Sequence, residues 1–256
     1  MKIIECNLSS EFESVEILPL SDLHVGDSRM KTKMFKDFVK YVNDEPNRYV
    51  LCNGDLMNNA VKSSVSNCYE DCMTPNQQKK WLRKELYPIK DRILVILEGN
   101  HEARTSKDVD MKPLEDIADY LGIGDKYIDE EVILKVTFGK RAAGGKRQCY
   151  TIYATHGNGG GKRPGSAINN IEMLALGTEA DIYVLGHIHK KIAYKNGYRK
   201  VDLQNNNVRE TERLFVYTSH WSEFGGYAAK KMFTPSALGT VPIILQAKEK
   251  KMEALL

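Results

Sequence analysis

Long apolar runs are missing from this 256-residue sequence. No stretch is long enough to cross a bilayer as a helix, and Met1 to Ser10 carries no basic-then-apolar leader, so a cytoplasmic protein without membrane contact is expected. Paired cysteines are missing too. Cys6, Cys52, Cys68, Cys72 and Cys149 form an odd set without a CxxC pair, which argues against a disulfide framework and for reduced thiols. Cys68 and Cys72 could lie one helical turn apart, but two thiolates without nearby partner ligands fall short of a zinc site. An excess of one charge is also lacking: 37 Lys and Arg against 34 Asp and Glu leave a formal +3, too little to imply a polyanionic partner. Basic clusters at Lys79-Lys80, Arg83-Lys84, Gly139 to Arg147 and Lys248 to Lys251 read as solvated surface before nucleic-acid contact, because acidic residues are interspersed through most of the chain. Repeats, heptads and low-complexity blocks are absent.

What is present is an alternation of short apolar runs with amphipathic segments, the pattern of strand, crossover helix and strand. Strands are expected at Val15 to Leu20, Tyr49 to Asn53 and Ile93 to Leu97, and helices at Thr32 to Val42, Asn76 to Leu86 and Lys112 to Leu121. Pro113 is tolerated in the first turn of the last of these. Beyond it strands run in sequence: Val132 to Phe138 and Gln148 to Thr155 as a hairpin, then a helix at Ser166 to Leu176 and a strand at Asp181 to Leu185. Ile192 to Leu203 is expected to form a second hairpin turned at Asn196-Gly197, since both central positions of a type I′ turn need positive φ. Strands at Leu214 to Thr218 and Val241 to Leu245 follow, and Ala247 to Leu256 reads as a polar tail without a clear element. The expectation is one domain over 1–256, with its motifs within about 15–220, of α/β (α+β) class: two packed sheets with helices outside.

Histidine placement carries the chemical signal. His24, His101, His156, His187 and His189 fall just beyond expected strands, where rigid backbone lets side chains converge on a ligand. The segments are Leu20-Ser21-Asp22-Leu23-His24, Asn53-Gly54-Asp55, Glu98-Gly99-Asn100-His101-Glu102, Ala154-Thr155-His156-Gly157 and Leu185-Gly186-His187-Ile188-His189. One Asp or His at a strand end is more often a cap or a turn former than a ligand. Five such segments in order are a different observation. His220, in Thr218-Ser219-His220-Trp221, also follows a strand, and a packed or surface histidine is the expected account of it.

The five blocks together resemble the calcineurin-like metallophosphoesterase superfamily, whose pattern is D-x-H, GD, GNH with an acidic residue, a lone H, and GHxH in that order. The resemblance runs from Ser21 to His189. It implies two mixed β-sheets packed as a sandwich flanked by helices, a four-layer arrangement. It also implies that Asp22, His24 and His189 hold one divalent cation, that Asn100, His156 and His187 hold a second, and that Asp55 bridges both. His101 would protonate the leaving alkoxide or orient the phosphate. Many members place an acidic residue three positions after the GD block, where this chain has Asn58. The run from Gly225 to Gly239 resembles C-terminal segments of phage and bacterial members.

Two dications with two carboxylates and neutral His and Asn donors leave about +2 at the site, which suits a phosphate. A metal-bridging hydroxide attacking phosphorus in line is the expected chemistry. Oxygen and nitrogen donors without thiolate favour Mn²⁺, with Fe²⁺ or Zn²⁺ as alternatives. Arg104 reads equally as a phosphate contact or as a surface ion pair with Glu102 or Asp108, whereas the loop Gly157 to Arg163, with Asn158, Lys162 and Arg163, offers N–H groups and cations for substrate contact. The expected partner is a phosphate-ester substrate: a phosphodiester of a nucleic acid or nucleotide first, a phosphomonoester second. A scaffold that binds a protein partner and has lost catalysis is a third reading, disfavoured because every ligand position is filled.

Overall fold

The computed structural model describes residues 1–64, 68–159, 163–230 and 232–256, without the side chains of Tyr227 and Lys230. In chain order the strands are β1 (Lys2–Asn7), β2 (Ser14–Leu20), β3 (Arg48–Asn53), β4 (Ile93–Leu97), β5 (Tyr127–Ile128), β6 (Glu131–Phe138), β7 (Gln148–Thr155), β8 (Ile182–Leu185), β9 (Ile192–Asp202), β10 (Asn207–Tyr217), β11 (Ile243–Gln246) and β12 (Met252–Ala254). The helices are α1 (Thr32–Asp44), α2 (Pro75–Leu86), α3 (Ala103–Val109), α4 (Pro113–Leu121), α5 (Pro164–Gly177) and α6 (Gly226–Lys230). They build two mixed sheets, ordered β1-β6-β7-β8-β10-β9 and β12-β11-β2-β3-β4-β5.

Period-two patterning divides each central strand between two cores. In β2, Val15 and Ile17 join a cluster with Leu134, Val136, Ile152 and Val184 of the opposite sheet, while Leu18 and Leu20 pack with Phe35, Phe38, Leu82 and Leu86 of α1 and α2. β4 divides likewise, Val95 and Leu97 to the first core and Ile93 and Ile96 to the second. A third cluster seats Ala167 and Ile171 of α5 on Tyr153, Tyr183 and Phe215. The layers are therefore helices, sheet, sheet and helix, as expected. α2 starts where it does because Thr74 and Gln77 form a reciprocal capping box ahead of Pro75.

Three expectations are corrected. β9 runs straight through Asn196-Gly197, which pair with Arg213 and Glu212, and the chain reverses instead at 203–206, where Asn206 has φ 48°. Pairing along the whole of β9 and β10, with the Lys195–Glu212 and Arg209–Asp202 ion pairs beside it, outweighs the local turn preference of one dipeptide. β10 accordingly starts at Asn207, seven positions before the expected strand. The tail is not featureless: Met252–Ala254 pairs antiparallel with β11, and Met252 is buried in the first core. β1, for which the sequence raised no expectation, pairs parallel with β6.

Candidate metal centre

β2, β3 and β4 run parallel in one sheet, and β7, β8 and β10 run parallel in the other. Parallel strands end at one edge, so each predicted block leaves its sheet beside the others. A cross-link joins the two edges, the His187 N–H donating to Asp22 Oδ2 at 2.9 Å, and within the sheet of β2 and β3 Asp22 N–H donates to Gly54 O at 3.1 Å and His24 N–H to Asp55 O at 3.1 Å. Asp22, His24, Asp55, His187 and His189 all have φ between 49° and 69°. Left-handed backbone is uncommon outside glycine and gathers at functional sites, where the surrounding structure holds it in place. It lets side chains at i and i+2 turn to the same side after the strand stops. Gly99 is required here because a Cβ on it would collide with the Asp55 backbone and carboxylate.

Among the described residues three donor groups result, each with its ligand atoms within 4.8 Å of one another: Asp22, His24 and His189; His24, Asp55 and His101; and Asp55, His156 and His187. His24 Nε2 lies 3.2 Å from His189 Nε2, and Asp22 Oδ1 lies 3.0 Å from the latter. Asn100 Oδ1 sits 3.1 Å from His156 Nε2 and 2.8 Å from His187 Nδ1, and Asp55 Oδ2 sits 3.2 Å from His156 Nε2. All seven predicted ligands thus converge. The donor set fits divalent cations: among the described residues the buried Asp22 Oδ1 accepts no hydrogen bond and has the His189 imidazole, 3.0 Å away, against it, a cost that a bound cation at this carboxylate would offset.

The titration of the cluster follows from its packing. Burial alone would raise the two carboxyl groups, but His189 and His156 hold Asp22 well below the usual carboxylate range, and His156 and His101 do the same for Asp55. Burial works against a charged His156, yet Asp55 and then Asp22 lift it to about 10, and Asp22 lifts His189. His24, His101 and His187 are pushed down, in each case chiefly by burial. Carboxylates and imidazoles therefore neutralise one another in the metal-free cluster.

Sequence reasoning missed one contributor, Glu102, while His220 is the packed histidine expected. Glu102 is fully buried and accepts the N–H groups of Asp55, Gly99 and Met57 at 3.0, 3.1 and 2.8 Å, so it shapes the loop that presents Asp55. Burial and then the Asp55 charge raise it to about 8. Its position next to the GNH block was the available signal. His220 stacks on His189 with ring centroids 4.9 Å apart, and its place at the end of β10 matches that of the other site histidines.

Of the substrate-side candidates, Arg104 donates through Nη1 to the Asn58 carbonyl at 3.0 Å. Asn158 and Arg163 are exposed on either side of 160–162, and Lys162 lies outside the described residues. No helix among the described residues is long and apolar enough to cross a membrane.

The chain matches the model of the calcineurin-like phosphoesterase family over residues 16–191. No curated protein matches it. Solved structures to which the chain is similar include a conserved uncharacterized protein of Streptococcus pneumoniae, described as a predicted phosphoesterase, at 14% identity over 95% of this chain and 90% of that one, TM-score 0.44. Vacuolar protein sorting 29 of Cryptosporidium parvum is 17% identical over 95% and 97% of the two chains, TM-score 0.44. Nuclease MPE of Pseudomonas putida is 12% identical over 93% and 87%, TM-score 0.39. The family match spans more than half of the sequence and contains all five motif blocks in their expected order, so this chain belongs to the calcineurin-like phosphoesterase family.

Proposed function

We propose that this protein hydrolyses a phosphate ester, foremost a phosphodiester of a nucleic acid or nucleotide, at a centre loaded with two divalent cations. The observation that carries the reading is the overlap of the donor groups, with the Asp55 carboxylate common to two of them. Asp22, His24 and His189 would hold one cation, Asn100, His156 and His187 the other, and Asp55 both; Mn²⁺ suits these oxygen and nitrogen donors, with Fe²⁺ or Zn²⁺ as alternatives. When bound, the cations supply Lewis acidity toward phosphoryl oxygens and lower the pKa of a water.

The chain's own groups do the rest. His101 keeps Nδ1 on the Asn58 carbonyl, 2.8 Å away, which leaves Nε2 facing the cluster. A phosphate anion arriving beside the ring favours its protonated form, from which Nε2 gives a proton to the departing oxygen. Glu102 holds the Asp55 and Gly99 N–H groups and so fixes the backbone that carries the Asp55 carboxylate, which itself accepts the His101 N–H. Arg104, Asn158, Lys162 and Arg163 make up the proposed substrate side, the arginines for their paired donors toward phosphate oxygens. The domain carrying this centre is taken as residues 1–256.

Mn²⁺-loaded protein is expected to cleave bis(p-nitrophenyl) phosphate, and among DNA, RNA and cyclic nucleotides to act on at least one. Faster turnover of p-nitrophenyl phosphate would assign a phosphomonoesterase instead. Full metal loading with no turnover of any ester would refute hydrolysis and favour a protein-binding scaffold.

A further inference from the structure

His101 is gripped at three points. Its backbone N–H donates to Asp55 Oδ1 at 2.8 Å, its ring Nδ1 lies 2.8 Å from the Asn58 carbonyl oxygen, and its own carbonyl accepts from Asn59 Nδ2 at 2.9 Å. A carbonyl oxygen only accepts, so Nδ1 carries the hydrogen and Nε2, 3.7 Å from Asp55 Oδ2, is the nitrogen turned to the cluster. Two of the three grips come from Asn58-Asn59. The ring is only as well oriented as that dipeptide.

The dipeptide is itself closed into a ring of hydrogen bonds. Asn58 Nδ2 donates to Asp71 Oδ1 at 2.6 Å, Gln78 Nε2 donates to Asp71 Oδ2 at 3.0 Å, and the Asn59 N–H donates to Gln78 Oε1 at 2.9 Å. Gln78 is fully buried on α2 and its Nε2 also donates to the Met73 carbonyl at 2.8 Å. A buried amide costs free energy unless it is bonded, and a closed network of such bonds holds its members in a single arrangement. Cys72 N–H donates to Gly26 O at 2.8 Å, so the same segment is tied to the loop that follows His24. Asp71 is 13 residues from Asn58, and among the described residues it reaches the imidazole through the Asn58 amide and backbone and the His101 carbonyl by way of Gln78 and Asn59.

We infer that Asn58, Asp71 and Gln78 are positioning residues that hold His101 in its Nδ1–H tautomer with Nε2 toward the substrate. In this chain the orienting carboxylate acts at one remove, from Asp71 through the Asn58 main chain, instead of contacting the imidazole. The catalytic consequence rests on His101 acting as the acid, as proposed above; the tautomer does not.

The test uses metal-free protein with isotope-labelled histidine at neutral pH, read by long-range proton–nitrogen correlation, with His101 assigned from its loss in His101→Gln. Wild type is expected to show the Nδ1–H tautomer alone. Asp71→Asn places an amide N–H against a donor, and Asn58→Ala keeps the carbonyl while removing its brace. Both are expected to give mixed tautomers and, with metal content kept, a kcat lowered about 10-fold. KM should change less than kcat, its share coming from Arg104, which leans on the same Asn58 carbonyl. An Nε2–H tautomer in wild type, or an unmixed Nδ1–H signal in both variants, overturns the inference. If wild type hydrolyses no ester, the hydrolase reading falls while the spectra still decide the positioning role.

Discussion

The loops after β2 and β3 and the loop after β8 supply donors to the same cluster, but they are held differently. Asp22 and Asp55 are 0% and 2% exposed, and Asp55 sits on a loop whose N–H groups Glu102 binds from beneath. Across the gap, the His189 side chain is 41% exposed and its neighbour His220 covers one ring face. The contrast follows from charge. A buried carboxylate must be surrounded by donors or by cations, which fixes its backbone, whereas an imidazole at the solvent edge keeps water on its open side and can adjust. The open side is therefore the natural mouth of the site.

The largest effect is expected where the pinned half is broken. Asp55→Asn should reduce turnover to background and lower the metal content per chain for both cations, read by ester hydrolysis and elemental analysis; retained loading would break the comparison. His101→Gln should keep the metals and lose about 10²–10⁴-fold in kcat, the worth of a positioned acid. Unchanged kcat would remove it from the mechanism. Glu102→Ala leaves three buried N–H groups without an acceptor and should destabilise the fold by about 3 kcal/mol in urea unfolding.

A fourth prediction concerns pH. In the metal-free protein His156 is raised from 6.5 to about 10, above its unfolded value, so its pairing with Asp55 contributes stability that is fully present below pH 6.5 and lost as pH rises through about 10. A cation must displace that proton. Mn²⁺ should raise Tm more at about pH 8 than at about pH 6, and the reverse order would contradict the assignment. The smallest effect belongs to the open half: His220→Ala should weaken metal affinity about threefold, the scale of one aromatic contact.

Much of the site was legible because its chemistry is written locally. Asp22-Leu23-His24 and His187-Ile188-His189 place donors two positions apart at strand ends, and the parallel order of the strands brings them together without further information. Glu102 was visible as a residue but not as a brace, since its three partners lie at Gly99, Asp55 and Met57 and meet only when β3 and β4 align. Asp71 and Gln78 gave no sign of a part at His101, because their link runs through a chain of amides that no spacing predicts. The Asn196-Gly197 turn failed for the opposite reason. A local preference there was overridden by the long pairing of β9 with β10.

By itself the sequence determined the apolar alternation that makes two sheets and the order of the donor blocks, because periodicity and residue type act within a few positions. Tertiary structure alone decided which buried atoms face one another: the left-handed turns at five donors, the Glu102 brace and the ring behind His101. Those depend on satisfying polar groups in a dry interior, and partners for such groups are set by packing between segments distant along the chain.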